Sequence, residues 1–187
     1  MREVNMNEKG LTLAELLVTM VVMGIIMTMI MTIFITQRKS FETRGKLLGL
    51  RDRTRASLDY VTKNLRMAGY DRTGVGAGLT GGGRYRVSFT ADINDDTTLG
   101  AGETFNFFIN GDTLMNGAEV VSFDIDSLQF IYFDASRDSI IPGAGDSLDA
   151  AQRAEVQSIK IFIKGKRNIY GEEYSYRLSS FVNIRNK

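Results

Sequence analysis

The distribution of apolar residues divides the chain into a long apolar run, a helical stripe and a series of alternating strands. Residues 11–35 would measure about 37 Å as a helix, at about 1.5 Å per residue, which exceeds the roughly 30 Å hydrocarbon layer of a bilayer. The run therefore predicts a transmembrane helix over 11–35. The polar residues of the run are Glu15 and the threonines Thr12, Thr19, Thr28 and Thr32. A threonine hydroxyl can donate a hydrogen bond to a carbonyl of the preceding helical turn, so only the carboxylate of Glu15 requires a further explanation.

The helical pattern continues past the apolar run, because no proline or other helix-ending signal precedes Gly69. Apolar and small residues recur in steps of three or four, which predicts an amphipathic helix over 36–69 with a solvated basic face. Gly45 and Gly49 weaken this helix between its two halves. The stripe consists of Leu47, Leu50, Thr54, Leu58, Val61, Leu65 and Ala68.

Residues 70–187 are predicted to form a head made of strands. The glycine-rich segment 74–83 is expected to be a loop, because glycine loses much backbone entropy in a regular element, and it lacks the flanking signals of a phosphate cradle. A period of two then recurs through the chain, with two hairpin signals, Asn110-Gly111 and Asn116-Gly117, and a short helix within 146–154. The sequence predicts an α+β fold in which one long N-terminal helix packs on an antiparallel β-sheet; the alternating sets are Phe105/Phe107/Ile109, Val121/Phe123/Ile125, Leu128/Phe130/Tyr132, Ile159/Ile161/Ile163 and Tyr174/Tyr176/Leu178.

Composition narrows the possible functions. The chain has no cysteine and no histidine, so it lacks thiolate chemistry and the commonest general base, and no nucleophile–base set suggests an enzyme. Lys and Arg dominate residues 36–72 and 156–187, whereas Asp and Glu dominate 73–155. The basic flanks are the cue for a nucleic-acid-binding subunit, but aromatic and basic residues alternate only over 170–177, so we do not expect a nucleic-acid partner.

Residues 9–18, Lys-Gly-Leu-Thr-Leu-Ala-Glu-Leu-Leu-Val, resemble the processing site of type IV prepilins. The resemblance implies a leader peptide over 1–10, cleavage after Gly10 by a prepilin peptidase, and N-methylation of Leu11. It also implies that Glu15 pairs with the terminal amine of a neighbouring subunit, which would offset a cost of about 2.5–3.5 kcal/mol for a carboxylate in the membrane; snorkelling into the headgroups is the alternative. The chain departs from the family in having Leu11 where phenylalanine is usual and in having a neutral leader, with Met1 or Met6 as the start.

A second resemblance covers residues 55–70 and 181–186. These segments are similar to those of PilW-type minor pilins and of the related J-type minor pseudopilins of type II secretion. What this implies is a type IV pilin fold and a structural role in initiating assembly or at the filament tip. The implied partners are other pilins through the N-terminal helix and the inner-membrane assembly platform, with the head in the periplasm before assembly and the subunit in a pilus or outside the cell afterwards.

The segment 92–103 has oxygen-bearing residues at the spacing of a calcium-binding EF-hand loop. Thr97 stands where that loop requires glycine, and a strand-like run follows instead of a helix. The alternative is an ordinary Asx-rich turn. The chain therefore carries a candidate calcium site, with no other cofactor expected; its ligands would be Asp92, Asn94, Asp96, Thr98 and Glu103.

Overall fold

The computed structural model describes residues 12–143 and 145–184. The chain divides into two compact units, residues 1–45 and 46–187. Within the described ranges the elements are α1 (Leu13–Leu65), β1 (Leu79–Gly82), β2 (Val87–Thr90), a 3₁₀ turn (Ala101–Glu103), β3 (Thr104–Asn110), β4 (Thr113–Asn116), β5 (Glu119–Phe123), β6 (Ile125–Phe133), β7 (Ser139–Ile140), α2 (Ala150–Glu155), β8 (Ser158–Ile169) and β9 (Glu172–Asn183).

Helix α1 covers both of the helical segments expected from the sequence. It ends at Leu65, and residues 66–69 form turns, so the regular helix stops four residues before the predicted end at 69. Gly45 and Gly49, the expected weak points, both lie within α1. In the apolar part, the threonine hydroxyls donate to carbonyls of the preceding turn, at 2.7 Å from Thr28 to Ile25 and 2.9 Å from Thr32 to Thr28, so these polar groups are satisfied within the helix.

The head contains two antiparallel sheets, whereas the sequence predicted one. Strands β1-β2-β3-β4-β5 form the first sheet and β7-β6-β8-β9 the second, and every pairing is antiparallel as predicted. The chain passes between the sheets at Asp124, whose φ of 64° interrupts the extended backbone. The alternation through 121–125 therefore belongs to two strands: Phe123 ends β5 with 59% of its surface exposed, and Ile125 begins β6 fully buried.

Both Asn-Gly pairs form hairpin turns, so the expectation of at least one antiparallel hairpin around residues 103–125 is confirmed. Gly111 joins β3 to β4 and Gly117 joins β4 to β5, with φ values of 65° and 60°. Glycine adopts this left-handed region without steric cost. The short helix is also present as α2, with Asp149 as its N-cap: Asp149 accepts from the Gln152 N–H at 2.7 Å.

The predicted stripe of α1 packs on the second sheet in a single core shared by both sheets. The helix approaches β8 so closely at Gly165 that a Cβ there would lie 2.1 Å from Thr54 Oγ1 and 3.0 Å from Leu50 Cδ1. Thr54 is itself buried, and its hydroxyl is satisfied by the Leu50 carbonyl at 2.7 Å. Glycine at position 165 therefore sets the distance between helix and sheet; the buried apolar members of the stripe are Leu50, Leu58, Val61, Leu65 and Ala68.

The glycine-rich segment is not entirely a loop. Residues 79–82 form β1, which corrects the expectation that glycine would exclude a regular element there. The reason is packing: a Cβ on Gly82 would lie 2.7 Å from Leu148 Cδ1, and a Cβ on Gly83 would lie 2.1 Å from the Asp146 carbonyl. The buried Tyr132 hydroxyl donates to the Gly83 carbonyl at 2.8 Å, so the glycines let neighbouring segments contact the backbone itself.

We predict that Gly165→Ala destabilises the head, because the new methyl group overlaps Thr54 Oγ1; overpacking of this kind costs about 1–3 kcal/mol. The free energy of unfolding of the full chain, measured by denaturant titration in detergent micelles, checks this. Combining the change with Thr54→Ala should recover part of the loss. Gly78→Ala is the control, since a Cβ at Gly78 meets nothing within 4 Å; an equal loss in both single variants would contradict the role given to Gly165.

Candidate functional site

The processing residues Gly10 and Leu11 lie outside the described residues, and the described segment begins at Thr12. Glu15 lies in the first turn of α1. Its Oε2 accepts the backbone N–H and the hydroxyl of Thr12, both at 2.9 Å, and the Glu15 N–H donates to Thr12 Oγ1 at 3.3 Å. This reciprocal pair is a capping box.

The sequence interpretation did not predict the hydrogen bonds between Glu15 and Thr12. The Thr-x-x-Glu spacing of a capping box was visible at 12–15, but the resemblance to a processing site drew attention to the carboxylate alone. The structure gives Glu15 a role within its own chain, satisfying the first N–H groups of the helix. That role does not exclude an intersubunit pair, because a carboxylate has about four acceptor positions.

Among the described helices, α1 is long and apolar enough to cross a membrane. Length and composition support this statement, and a signal sequence near an N-terminus would satisfy the same criteria. The large apolar side chains between Leu13 and Ile35 are exposed, with Leu13 at 80% and Met20 at 66%. An exposed apolar surface of this size needs a membrane or other subunits around it.

Comparison with known families gives a match at the same N-terminal segment. The family of the prokaryotic N-terminal methylation motif matches residues 5–31, a range that includes Gly10, Leu11 and Glu15. This match is consistent with a type IV pilin-like protein. Neither the curated proteins nor the solved structures contain a match to the chain. The pilin-like character therefore rests on the N-terminal motif, together with the layout of a long N-terminal helix packed on antiparallel sheets.

In the head, the described carboxylates among the candidate calcium ligands are not grouped as a metal site. Glu103 is almost fully buried and binds the backbone: Oε1 accepts from Ile93 and Asn94 at 2.8 and 3.2 Å, and Oε2 accepts from Gly100 at 2.8 Å. Asp96 accepts the Thr98 hydroxyl and N–H and the Asn94 amide, and these donors hold the pKa of Asp96 below its usual value. Both carboxylates are occupied in holding their own loop.

The remaining candidate, Asp92, is fully buried and accepts the Thr73 hydroxyl through Oδ2, while Oδ1 has no hydrogen-bond partner among the described residues. Across 12–143 and 145–184, no three His, Cys, Asp or Glu side chains are grouped as a metal site requires. Calcium binding thus stays a prediction from spacing; within the loop, the Asn94 and Asp96 side chains accept the backbone N–H groups of Asp96 and Thr98.

The glycine-rich segment binds a carboxylate of the same chain, a contact that the sequence interpretation did not predict. The backbone N–H groups of residues 74–77 all donate to the carboxylate of Asp71, at 2.7 to 3.1 Å. Gly74 and Gly76 have φ values of 78° and 84°, and alternation of this kind turns successive N–H groups toward one side as an anion nest. The carboxylate of Asp71 occupies this nest. The glycine-rich segment therefore binds an anion, as a phosphate-binding loop does, but the anion is a side chain of the same protein.

We predict that Glu15→Gln blocks incorporation into filaments whereas Thr12→Ala does not. Glutamine at the third helical position preserves a capping box but removes the charge; alanine at position 12 removes the cap but keeps the charge. The amount of each variant in sheared filaments, measured against the amount in the membrane, separates the two roles. Normal incorporation of Glu15→Gln together with a loss in Thr12→Ala would mean that Glu15 acts only as a cap.

We predict that the nest is lost at acidic pH. Desolvation, the largest single influence, raises the pKa of Asp71, but the four backbone donors together lower it below the ordinary value of 3.8. Because the pKa of Asp71 is lower in the folded chain than in the unfolded chain, the ionised carboxylate stabilises the fold at pH values above the unfolded-state pKa. This stabilisation is lost as the pH falls through the folded-state pKa. The amide NMR signals of Gly74 and Gly76 should titrate together below pH 3.8, and Asp71→Asn should abolish that titration; a midpoint above 3.8 would contradict the nest.

Proposed function

We propose that the chain is a minor pilin that is incorporated into a type IV pilus and acts in initiating assembly or at the tip. The observation that carries the proposal is the N-terminal methylation motif over residues 5–31, which overlaps the exposed apolar part of α1. In this proposal the head stays in the periplasm until the filament extends it outside the cell. The partners are other pilins, a prepilin peptidase and the inner-membrane assembly platform.

The minor role, as opposed to that of the main filament subunit, is supported by the resemblance of residues 55–70 and 181–186 to PilW-type minor pilins. In the structure the first segment covers the last turns of α1 and the turn residues that follow it, and residues 181–183 are the end of β9; residues 185 and 186 lie outside the described residues. Both contribute to the shared core, through residues that include Leu58, Leu65, Ala68 and Val182. The resemblance therefore follows residues that bring helix and sheet together.

A minor pseudopilin of a type II secretion system is the second candidate, favoured by the same two segments. Both candidates require the same N-terminal chemistry and differ in the machine that uses the subunit. The pilin-type motif supports a structural role for the chain over an enzymatic one.

We predict that the mature chain begins at Leu11 with a methylated amine. Mass spectrometry of the N-terminal peptide from membranes and from filaments measures this. Gly10→Ala should be processed more slowly, and Gly10→Leu should leave the precursor uncleaved, because a bulky side chain replaces the small residue at the cleavage site. An intact leader in assembled material would contradict the proposal.

Deletion of the chain in its native cell tests the assignment to a machine. A pilus subunit predicts fewer surface filaments with normal export of secreted proteins, and restoration by the native chain but not by Gly10→Leu. A pseudopilin predicts normal filaments with exported proteins retained in the periplasm. Normal filaments together with normal export would refute both.

A further inference from the structure

The second sheet has an outer face, on the side opposite α1, that carries aromatic and basic side chains together. Strand β8 turns its odd-numbered residues, such as Ile161 and Ile163, into the core and its even-numbered residues outward. Cross-strand register places Lys160 beside Ile131 on one side and beside Phe181 on the other. We define the outer face by Ile131, Phe133, Lys160, Phe162, Arg177 and Phe181, all exposed or half-exposed.

Rings and cations alternate on this face. The rings of Phe133 and Phe181 are 5.8 Å apart at an interplanar angle of 48°, and Lys160 Nζ lies 5.0 Å from the centroid of Phe162. Farther along β8, Lys164 lies directly opposite Arg177, about 13 Å from Lys160 at about 3.3 Å per residue. Of these rings Phe181 is the most open, with 49% of its residue surface exposed.

The charge of the face is positive but partly compensated. Lys164 pairs with Asp126 at 2.6 Å and Lys166 with Glu173 at 2.8 Å. Lys160 and Arg177 add two further cations, so positive charge exceeds negative charge across the sheet. A ligand that neutralised Lys160 and Arg177 would gain more from this surface than a neutral one.

We propose that the outer face binds single-stranded nucleic acid. Unpaired bases stack on exposed aromatic rings while basic residues beside the rings contact the phosphates, and such binding tolerates any base sequence. Duplex DNA fits the surface less well, because its bases are already stacked and their faces are closed to an aromatic side chain. A purely acidic protein partner would use the cations but would leave the exposed rings of Phe181 and Phe133 unexplained.

The sequence disfavoured this partner because the relevant residues are far apart along the chain. Phe133, Phe162 and Phe181 lie on three different strands, β6, β8 and β9. Strand pairing alone brings them onto one surface. The proposal does not depend on whether the chain belongs to a pilus or to a secretion system.

The test is fluorescence anisotropy of a labelled 20-nucleotide oligothymidine titrated with the full-length chain in detergent micelles. We expect Phe181→Ser to weaken binding by about fivefold or more, because stacking contributes about 1–3 kcal/mol per base and 1.4 kcal/mol is tenfold. Phe181→Tyr keeps a ring and should bind like the native chain. Phe123→Ser is the matched control, since Phe123 is 59% exposed on an edge strand of the other sheet.

Charge is tested separately by the salt dependence of the same titration. Replacing both Lys160 and Arg177 with glutamine should reduce the slope of log affinity against log salt by about 1.4, at about 0.7 per phosphate contact on a single strand. Arg55→Gln with Lys63→Gln, exposed on α1, should leave the slope unchanged. No binding, equal weakening by Phe123→Ser, or equal affinity for a duplex or for polyglutamate would overturn the proposal, the last by indicating an acidic protein partner.

Discussion

The close contact between α1 and β8 at Gly165 is the constraint on which the rest of the head depends. A helix and a sheet pack at a distance set by the side chains between them, and here one side chain is missing altogether. Thr54 and Leu50 occupy the space where a Cβ would be. This close contact places the apolar stripe of α1 in the hydrophobic core, where it packs with buried residues of both sheets.

Ion pairs at the solvent-exposed surface add to the contact between α1 and the sheets. Arg53 on α1 binds Asp124 at 2.7 Å, and Arg167 on β8 lies 3.7 Å from the same carboxylate. Asp124 is also the residue where the chain leaves the first sheet and enters the second. The basic side of α1 is therefore not simply solvated, as the sequence suggested, because one of its arginines links the helix to the junction between the sheets. Exposed ion pairs contribute little energy, so the gain is mainly in fixing the geometry.

Two loops of the head show the same use of carboxylates. Asp71 holds the N–H groups of residues 74–77, and Glu103 holds those of Ile93, Asn94 and Gly100. Loops cannot pair their backbone as strands do, so an acceptor must come from a side chain. Glu103 was a candidate calcium ligand from its spacing in the sequence, whereas in the structure its carboxylate accepts backbone N–H groups. The exposed phenylalanine rings of the outer face differ from these carboxylates, because they do not hold a loop of the head in place.

The sequence by itself determined the elements whose signals are local. The apolar run, the stripe of α1, the two Asn-Gly hairpins and the processing motif each depend on residues close together in the chain, where periodicity and turn chemistry operate. The tertiary structure alone decided the number of sheets, the strand formed by Leu79–Gly82, the nest around Asp71 and the outer face of the second sheet. Each of these depends on which distant residue lies opposite: Leu148 against Gly82, or Phe133 against Phe181. Such contacts follow from strand register and helix approach, which are properties of the whole packed core and not of any segment read alone.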